Sequence, residues 1–160
     1  MNEDIVRFCR NEFNLLVGEK TAEEVKIGIG SAFPLKEQLR ASIRGRDLVS
    51  GLPKEVVVTD DHIREALSRS IRMIVNNIKT VIEETPPELL SDVMQRGIVL
   101  SGGGSLIRGL DTLIANQTGI PVRTVEDPLT AVVRGTGIVL DDMETLAEVL
   151  IEDKQGKPLN

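Results

Sequence analysis

Apolar residues along the first segment recur at helical spacing. Ile5, Phe8, Cys9, Phe13 and Leu16 fall on one stripe, which predicts an amphipathic helix closed by Gly18. Thr21-Ala22-Glu23-Glu24 reads as a capping box, with Thr21 as N-cap and Glu24 reaching back to its amide. The helix it opens is short, weakened by Gly28 and Gly30 and stopped by Pro34. From Leu39 to Val58 the period changes. Ala41, Ile43, Leu48 and Val49 interleave with Arg40, Arg44 and Arg46, with breaks at Gly45 and Gly51-Leu52-Pro53. Together with the β-branched run Val56-Val57-Val58, this predicts two or three short antiparallel strands.

The longest helix follows. Thr59 is its expected N-cap, and Asp60 and Asp61 sit near the positive end of its dipole. Ile63, Leu67, Ile71, Ile74, Ile78, Val81 and Ile82 keep one apolar face for about six turns. Thr85-Pro86-Pro87 ends it, and Pro87 is suited to open a short helix that Gly97 terminates. Ile98-Val99-Leu100 is then a buried-type strand. It runs into Gly102-Gly103-Gly104 and a predicted helix bearing Leu106, Leu110, Leu113 and Ile114, closed by Thr118-Gly119. Ile120-Pro121-Val122 reads as the strand leading out, which makes a strand–loop–helix–strand unit of α/β type. Glu126-Asp127-Pro128 caps a further helix carrying Leu129, Val132, Val133, Val139 and Leu140, interrupted at Gly135–Gly137. A weaker amphipathic stretch (Met143, Leu146, Ala147, Leu150) and a polar run from Glu152 to Asn160 finish the chain. A subdomain boundary is expected inside the long helix, near Ser68 to Ser70.

Composition removes several classes of function. With 160 residues, 41% hydrophobic and 28% charged, the chain has the makings of a packed core. A net charge of −6 disfavours a phosphate-grasping nucleic-acid binder. Three Phe without Tyr or Trp provide no stacking platform for single strands. One Cys and one His cannot make a disulfide or a His/Cys zinc site. Cys9 lies on the apolar stripe and reads as a small buried hydrophobe; His62, among acids, reads as a surface residue. There is no signal-peptide pattern and no apolar run long enough to span a bilayer, so a cytoplasmic location is expected.

The candidate chemistry centres on the three glycines. Lacking Cβ atoms, they let a ligand approach the backbone at the carboxyl end of a strand, where α/β folds place ligands. A nucleotide cradle and a plain tight turn both fit that pattern. The P-loop and G-x-G-x-x-G spacings are absent. Glu23 and Lys26, three apart, share a helix face, either as a solvated ion pair or as part of a site.

The strings IVLSGGGSLIRGLDTLI and TGIPVRTVEDPLTAVVRGTG closely resemble the C-terminal part of the MreB family of bacterial actins. GEKTAEEVKIGIGSAFP, RGRDLVSGLPKEV and TPPELLSDVMQRGIVL resemble the preceding segments of that family in the same order. The resemblance runs from about Asn2 to Leu140. It implies an α/β chain, the second domain of an actin-like (ribonuclease H-like) ATPase fold with a small α+β subdomain inserted. Residues 1–69 would be that subdomain with an adenosine-facing helix, 70–142 the α/β subdomain with a Gly-rich adenosine loop, and 143–160 a tail. It further implies ATP with Mg²⁺ bound between two domains. Glu23, Glu24 and Lys26 on one helix, and Gly102, Gly103, Gly104 and Ser105 in the loop, would form the adenosine side here.

The family polymerises into membrane-associated filaments that guide cell-wall synthesis and set cell shape, which implies a homopolymer and indirect contact with inner-membrane cell-wall machinery. The phosphate loops and the catalytic acid of the family belong to a preceding domain, and no D-x-G-T string occurs here. Met1 reads as a start inside the family sequence, giving a truncated or split form that needs an N-terminal domain or partner. Phosphoryl transfer rests on positioning and charge around the phosphates, so no catalytic residue is expected and the chain alone is expected to be inactive and non-polymerising. The alternatives are a nucleotide-independent interaction domain, or part of an actin-fold kinase or ATPase completed by another chain. An exposed apolar patch is expected where a second domain would lie.

Overall fold

The structure is a computed structural model and describes residues 1–142. Helix α1, Asn2–Phe13, buries Ile5 and Cys9. It stops short of the predicted end. Asn14 adopts a left-handed conformation (φ 51°) and its N–H returns to the Cys9 carbonyl, a geometry asparagine tolerates through its short polar side chain. Strand β1, Leu15–Leu16, follows, burying Leu15 and exposing Leu16. The period thus switches from helix to strand inside what reads as one stripe.

Helix α2, Glu19–Ile29, has Gly18 as its N-cap, with no capping side chain. The Ala22 N–H bonds the Gly18 carbonyl at 3.1 Å, so the chain is already helical at Thr21 and the predicted Thr21–Glu24 box does not form. Gly30 is the C-cap.

Strands β2, Arg40–Asp47, and β3, Pro53–Thr59, pair antiparallel, with Arg40 opposite Thr59 and Arg46 opposite Pro53. β1 joins the free edge of β2, giving the order β1-β2-β3. Ile43 and Val58 face the core, while Ser42, Arg44 and Val57 face solvent. Gly45 is not a break. It lies within β2, where a Cβ would come within 2.3 Å of the Leu16 carbonyl oxygen, so its bareness is what lets β1 close on β2. Asp47 organises the turn, accepting from the Val49 and Ser50 amides at 2.9 and 2.8 Å and pairing with Lys54 at 2.9 Å.

Helix α3, Asp60–Glu84, starts at the predicted Thr59 cap. The reciprocal partner is His62: its Nδ1 accepts the Thr59 N–H at 3.2 Å, and Thr59 Oγ1 accepts the His62 N–H at 3.4 Å. His62 is therefore half-buried and not a surface residue, with its ring centroid 5.4 Å from that of Phe13 and 6.1 Å from that of Phe8. Ile63, Ala66, Leu67, Ile71 and Val75 form the buried face of α3.

Helix α4, Pro87–Arg96, ends at Gly97, as expected. Strand β4, Ile98–Leu100, and strand β5, Val122–Thr124, pair in parallel across helix α5, Leu110–Thr118. The strand–loop–helix–strand unit is present, with two differences. β5 begins after Pro121, which has no N–H to give a ladder. No long helix follows the glycines directly: Gly103–Leu106 is one 3₁₀ turn, and α5 opens only after Gly109.

Helix α6, Ala131–Asp141, excludes Leu129 and runs unbroken through Gly135 and Gly137. The predicted stretch from Met143 to Leu150 and the run to Asn160 lie outside the described residues. One buried apolar cluster extends from Ile5 through Leu67 to Ile114. Val132, Val133, Ile138 and Leu140 of α6 stand exposed, and no residue of this helix is buried.

Candidate functional site

Two walls meet at the site. The first is α2, where Glu23 and Lys26 sit one turn apart. Lys26 Nζ lies 2.9 Å from Glu23 Oε2, and the Lys26 side chain is mostly shielded. Asn2, in the first turn of α1, completes a three-cornered network: its Nδ2 donates to Glu23 Oε2 at 2.5 Å, and its Oδ1 accepts from Lys26 Nζ at 2.9 Å. The Lys26 hydrogen bond, followed by that of Asn2, holds the Glu23 carboxyl below its usual range. At neutral pH Glu23 is therefore an ionised, acceptor-only group.

The second wall is the glycine loop. Gly102 has φ 82°, open to glycine and rarely to other residues, and this turns the chain out of β4. Its N–H donates to the Pro128 carbonyl at 2.8 Å, and its own carbonyl accepts the Ser105 amide at 3.1 Å and the Ser105 hydroxyl at 2.7 Å. The loop is thus shaped by its own bonds.

Between the walls lies a cavity of ≈ 330 Å³ bordered by Glu23, Lys26, Ile27, Gly103, Gly104, Leu106, Ile107 and Leu129. That is the size and mixed character of a small-molecule pocket: apolar walls, bare backbone and a few charged groups. Of the residues singled out from sequence, Glu23, Lys26, Gly103 and Gly104 come together here. Glu24 does not; it is exposed and lies 4.0 Å from Lys20. Gly102 shapes the loop without lining the cavity, and Ser105 borders a different hollow with Ile74, Leu100 and Ile114.

Ile27 stands four positions after Glu23, a spacing that could have flagged it. Asn2 and Leu129 come from segments with no local signal. Arg108, between Ile107 and Gly109, carries no local signal either. Its guanidinium donates to the Ile27 carbonyl at 3.1 Å, and its own carbonyl accepts the Ala32 N–H at 2.8 Å, which ties α2 to the segment behind the glycines.

Lys26 is the one cation among the lining residues, and no group of three potential metal ligands occurs among the described residues. No helix among them is long and apolar enough to cross a membrane.

The architecture and this cleft define one half of an actin-like protein. Residues 1–148 match the MreB/Mbl protein family, and the chain belongs to that family. It is 44% identical over 143 residues to the cell shape-determining protein Mbl of Bacillus subtilis (strain 168), covering 89% of this chain and 43% of that protein. To the cell shape-determining protein MreB of Escherichia coli (strain K12) it is 44% identical over 140 residues, covering 88% and 40%. The crystal structure of MreB5 of Spiroplasma citri bound to ADP superimposes with a TM-score of 0.87 at 37% identity, covering 92% of this chain and 45% of that one. The MamK double helical filament gives 0.74 at 25% identity, covering 88% and 43%. The chain thus spans less than half the length of these relatives.

Proposed function

We propose that this chain supplies the adenosine-binding side of an MreB-type filament subunit that determines cell shape by organising cell-wall synthesis. One observation carries the reading: Glu23 and Lys26 on α2 face Gly103 and Gly104 across a single cavity, although the two pairs are far apart in sequence. Glu23 accepts from sugar hydroxyls, Lys26 lies over the base, and the bare backbone of the glycines lets the nucleotide approach closely. Gly102 and Ser105 keep the loop in shape; Glu24 contributes only to the outer face of α2. The existence of MreB5 structures bound to ADP and to AMPPNP supports a nucleotide as the occupant.

The phosphates and Mg²⁺ are held by parts of the protein that these residues do not provide, so the chain by itself turns over no ATP. Homopolymer assembly, in a cytoplasmic filament attached indirectly to the inner-membrane cell-wall machinery, requires both faces of a complete subunit. On this reading the part before Ser68–Ser70, with the three-stranded sheet, and the part after it, with the glycine loop, act as two subdomains.

Calorimetric titration with ADP and adenosine tests the reading. Weak binding of both is expected, abolished by Lys26→Ala and by Gly103→Val. The added Cβ in the latter would stand 3.2 Å from Leu129 Cδ2, and the rest of valine would reach further into the cavity. Heat-silent titrations with the unaltered chain would refute the nucleotide and favour an interaction domain using the exposed aliphatic residues of α6.

A further inference from the structure

We propose that Asn2 is a specificity-determining residue of this cleft, one that sets its preference for a ribose over a deoxyribose. The inference rests on the nucleoside reading above and goes beyond it. A carboxylate beside an ammonium on one helix face ordinarily has several rotamers, and an i,i+3 ion pair alone holds them weakly.

Asn2 removes that freedom. Its amide touches both partners, donating to Glu23 Oε2 at 2.5 Å while accepting from Lys26 Nζ at 2.9 Å. Lys26 Nζ donates to the same Oε2 at 2.9 Å. Both donors are therefore concentrated on one carboxylate oxygen. No hydrogen bond to Oε1 is found among the described residues, so that oxygen remains uncommitted on a side chain that borders the cavity.

An ionised oxygen held in one place accepts well from a sugar hydroxyl, and a ligand lacking the hydroxyl leaves it with nothing to accept. A site built this way discriminates by the missing partner and not by shape. Asn2 acts through Glu23 and Lys26 and is a positioning residue; its place at the start of α1 couples the packing of α1 against α2 to the selectivity of the cleft.

The test is titration of the full chain with ADP, 2′-deoxy-ADP and 3′-deoxy-ADP, for the unaltered protein, Asn2→Ala and Asn2→Asp. Asn2→Asp preserves size and the acceptor for Lys26 but turns the donor to Glu23 into a repelling carboxylate. The unaltered chain should penalise at least one deoxy sugar about tenfold, the worth of a hydrogen bond to a charged group. Both variants should bring that penalty down to about twofold or less while weakening ADP by about tenfold.

A purely structural role for Asn2 would lower the melting temperature, or weaken all three ligands in parallel, and leave the ratio untouched. That outcome in either folded variant overturns the inference and leaves the nucleoside reading standing. Failure of the unaltered chain to bind ADP overturns both.

Discussion

Replacing Asp60 with alanine should destabilise the protein far more than its position in a first helical turn suggests. Asp60 is 2% exposed. It exchanges two bonds with Leu39: the Asp60 N–H donates to the Leu39 carbonyl at 3.1 Å, and the Leu39 N–H donates to Asp60 Oδ1 at 2.9 Å. Its Oδ2 lies 3.4 Å from Arg64 Nη1, and Arg64 also reaches Asp61. Asp60→Ala leaves the Leu39 amide without its acceptor and removes one of two carboxylates from Arg64. A lost bond to a charged acceptor costs about 1.5–3 kcal/mol, and an orphaned donor adds desolvation, so a total near 3 kcal/mol is expected. For a chain of this size that corresponds to a fall in melting temperature of about 9 °C. Asp60→Asn retains an acceptor for Leu39 and should cost about 1 kcal/mol. Thermal melts and urea titrations of the three proteins provide the comparison. An alanine variant melting within about 2 °C of the parent would show that the Leu39 contact contributes nothing, and the argument would fail.

Acid should destabilise the protein through carboxylates that its folded state holds ionised. Asp47 is held well below the ordinary aspartate value of 3.8, first by the Ser50 amide and then by Lys54 and the Val49 amide, and the carboxyls of Asp4, Asp61 and Glu55 are lowered too. Because the folded values lie below the unfolded ones, this stabilisation is complete above the unfolded values and drains away as pH falls through the folded ones. Urea midpoints should therefore drop steadily below about pH 4, and Asp47→Asn should flatten the slope; a parallel slope in that variant would count against the assignment. Cys9 is fully buried and burial raises its thiol, so a maleimide at pH 8 should leave the native chain unlabelled and label it stoichiometrically in denaturant. Rapid labelling of the native chain would contradict the packing of α1.

The legible parts of this fold were those with long, single-period patterns. The face of α3, its Thr59 cap, the antiparallel strands around Ile43 and Val58, and the β4–α5–β5 unit can all be read from spacing. The illegible parts sit where the period changes without punctuation. Leu16 continues the stripe of α1 in sequence but belongs to a strand, because Asn14 takes the left-handed conformation that glycine was expected to supply. Gly45 looks like a breaker; only the proximity of Leu16, a tertiary fact, shows why it sits mid-strand. His62 as a cap partner could not be told from a solvated histidine by composition. At the cleft, local spacing puts Glu23 and Lys26 on one helix face and the glycines after a strand, but it was the family resemblance that joined the two into one site. Asn2, Arg108 and Leu129 enter through chain reversal, which no local pattern encodes.

The arginine that bridges Ile27 and Ala32 has a mechanical corollary. The strap from Ser31 to Leu39 is pinned at one end by Arg108 and at the other by Asp60, so its two anchorages join the glycine wall to the root of the antiparallel ribbon. One continuous run of backbone, hydrogen-bonded at both ends, therefore spans the distance between the helix that follows the glycines and the helix that follows the ribbon. A residue change at either anchor, Arg108 or Asp60, is thereby felt by the same nine-residue span, Ser31 to Leu39.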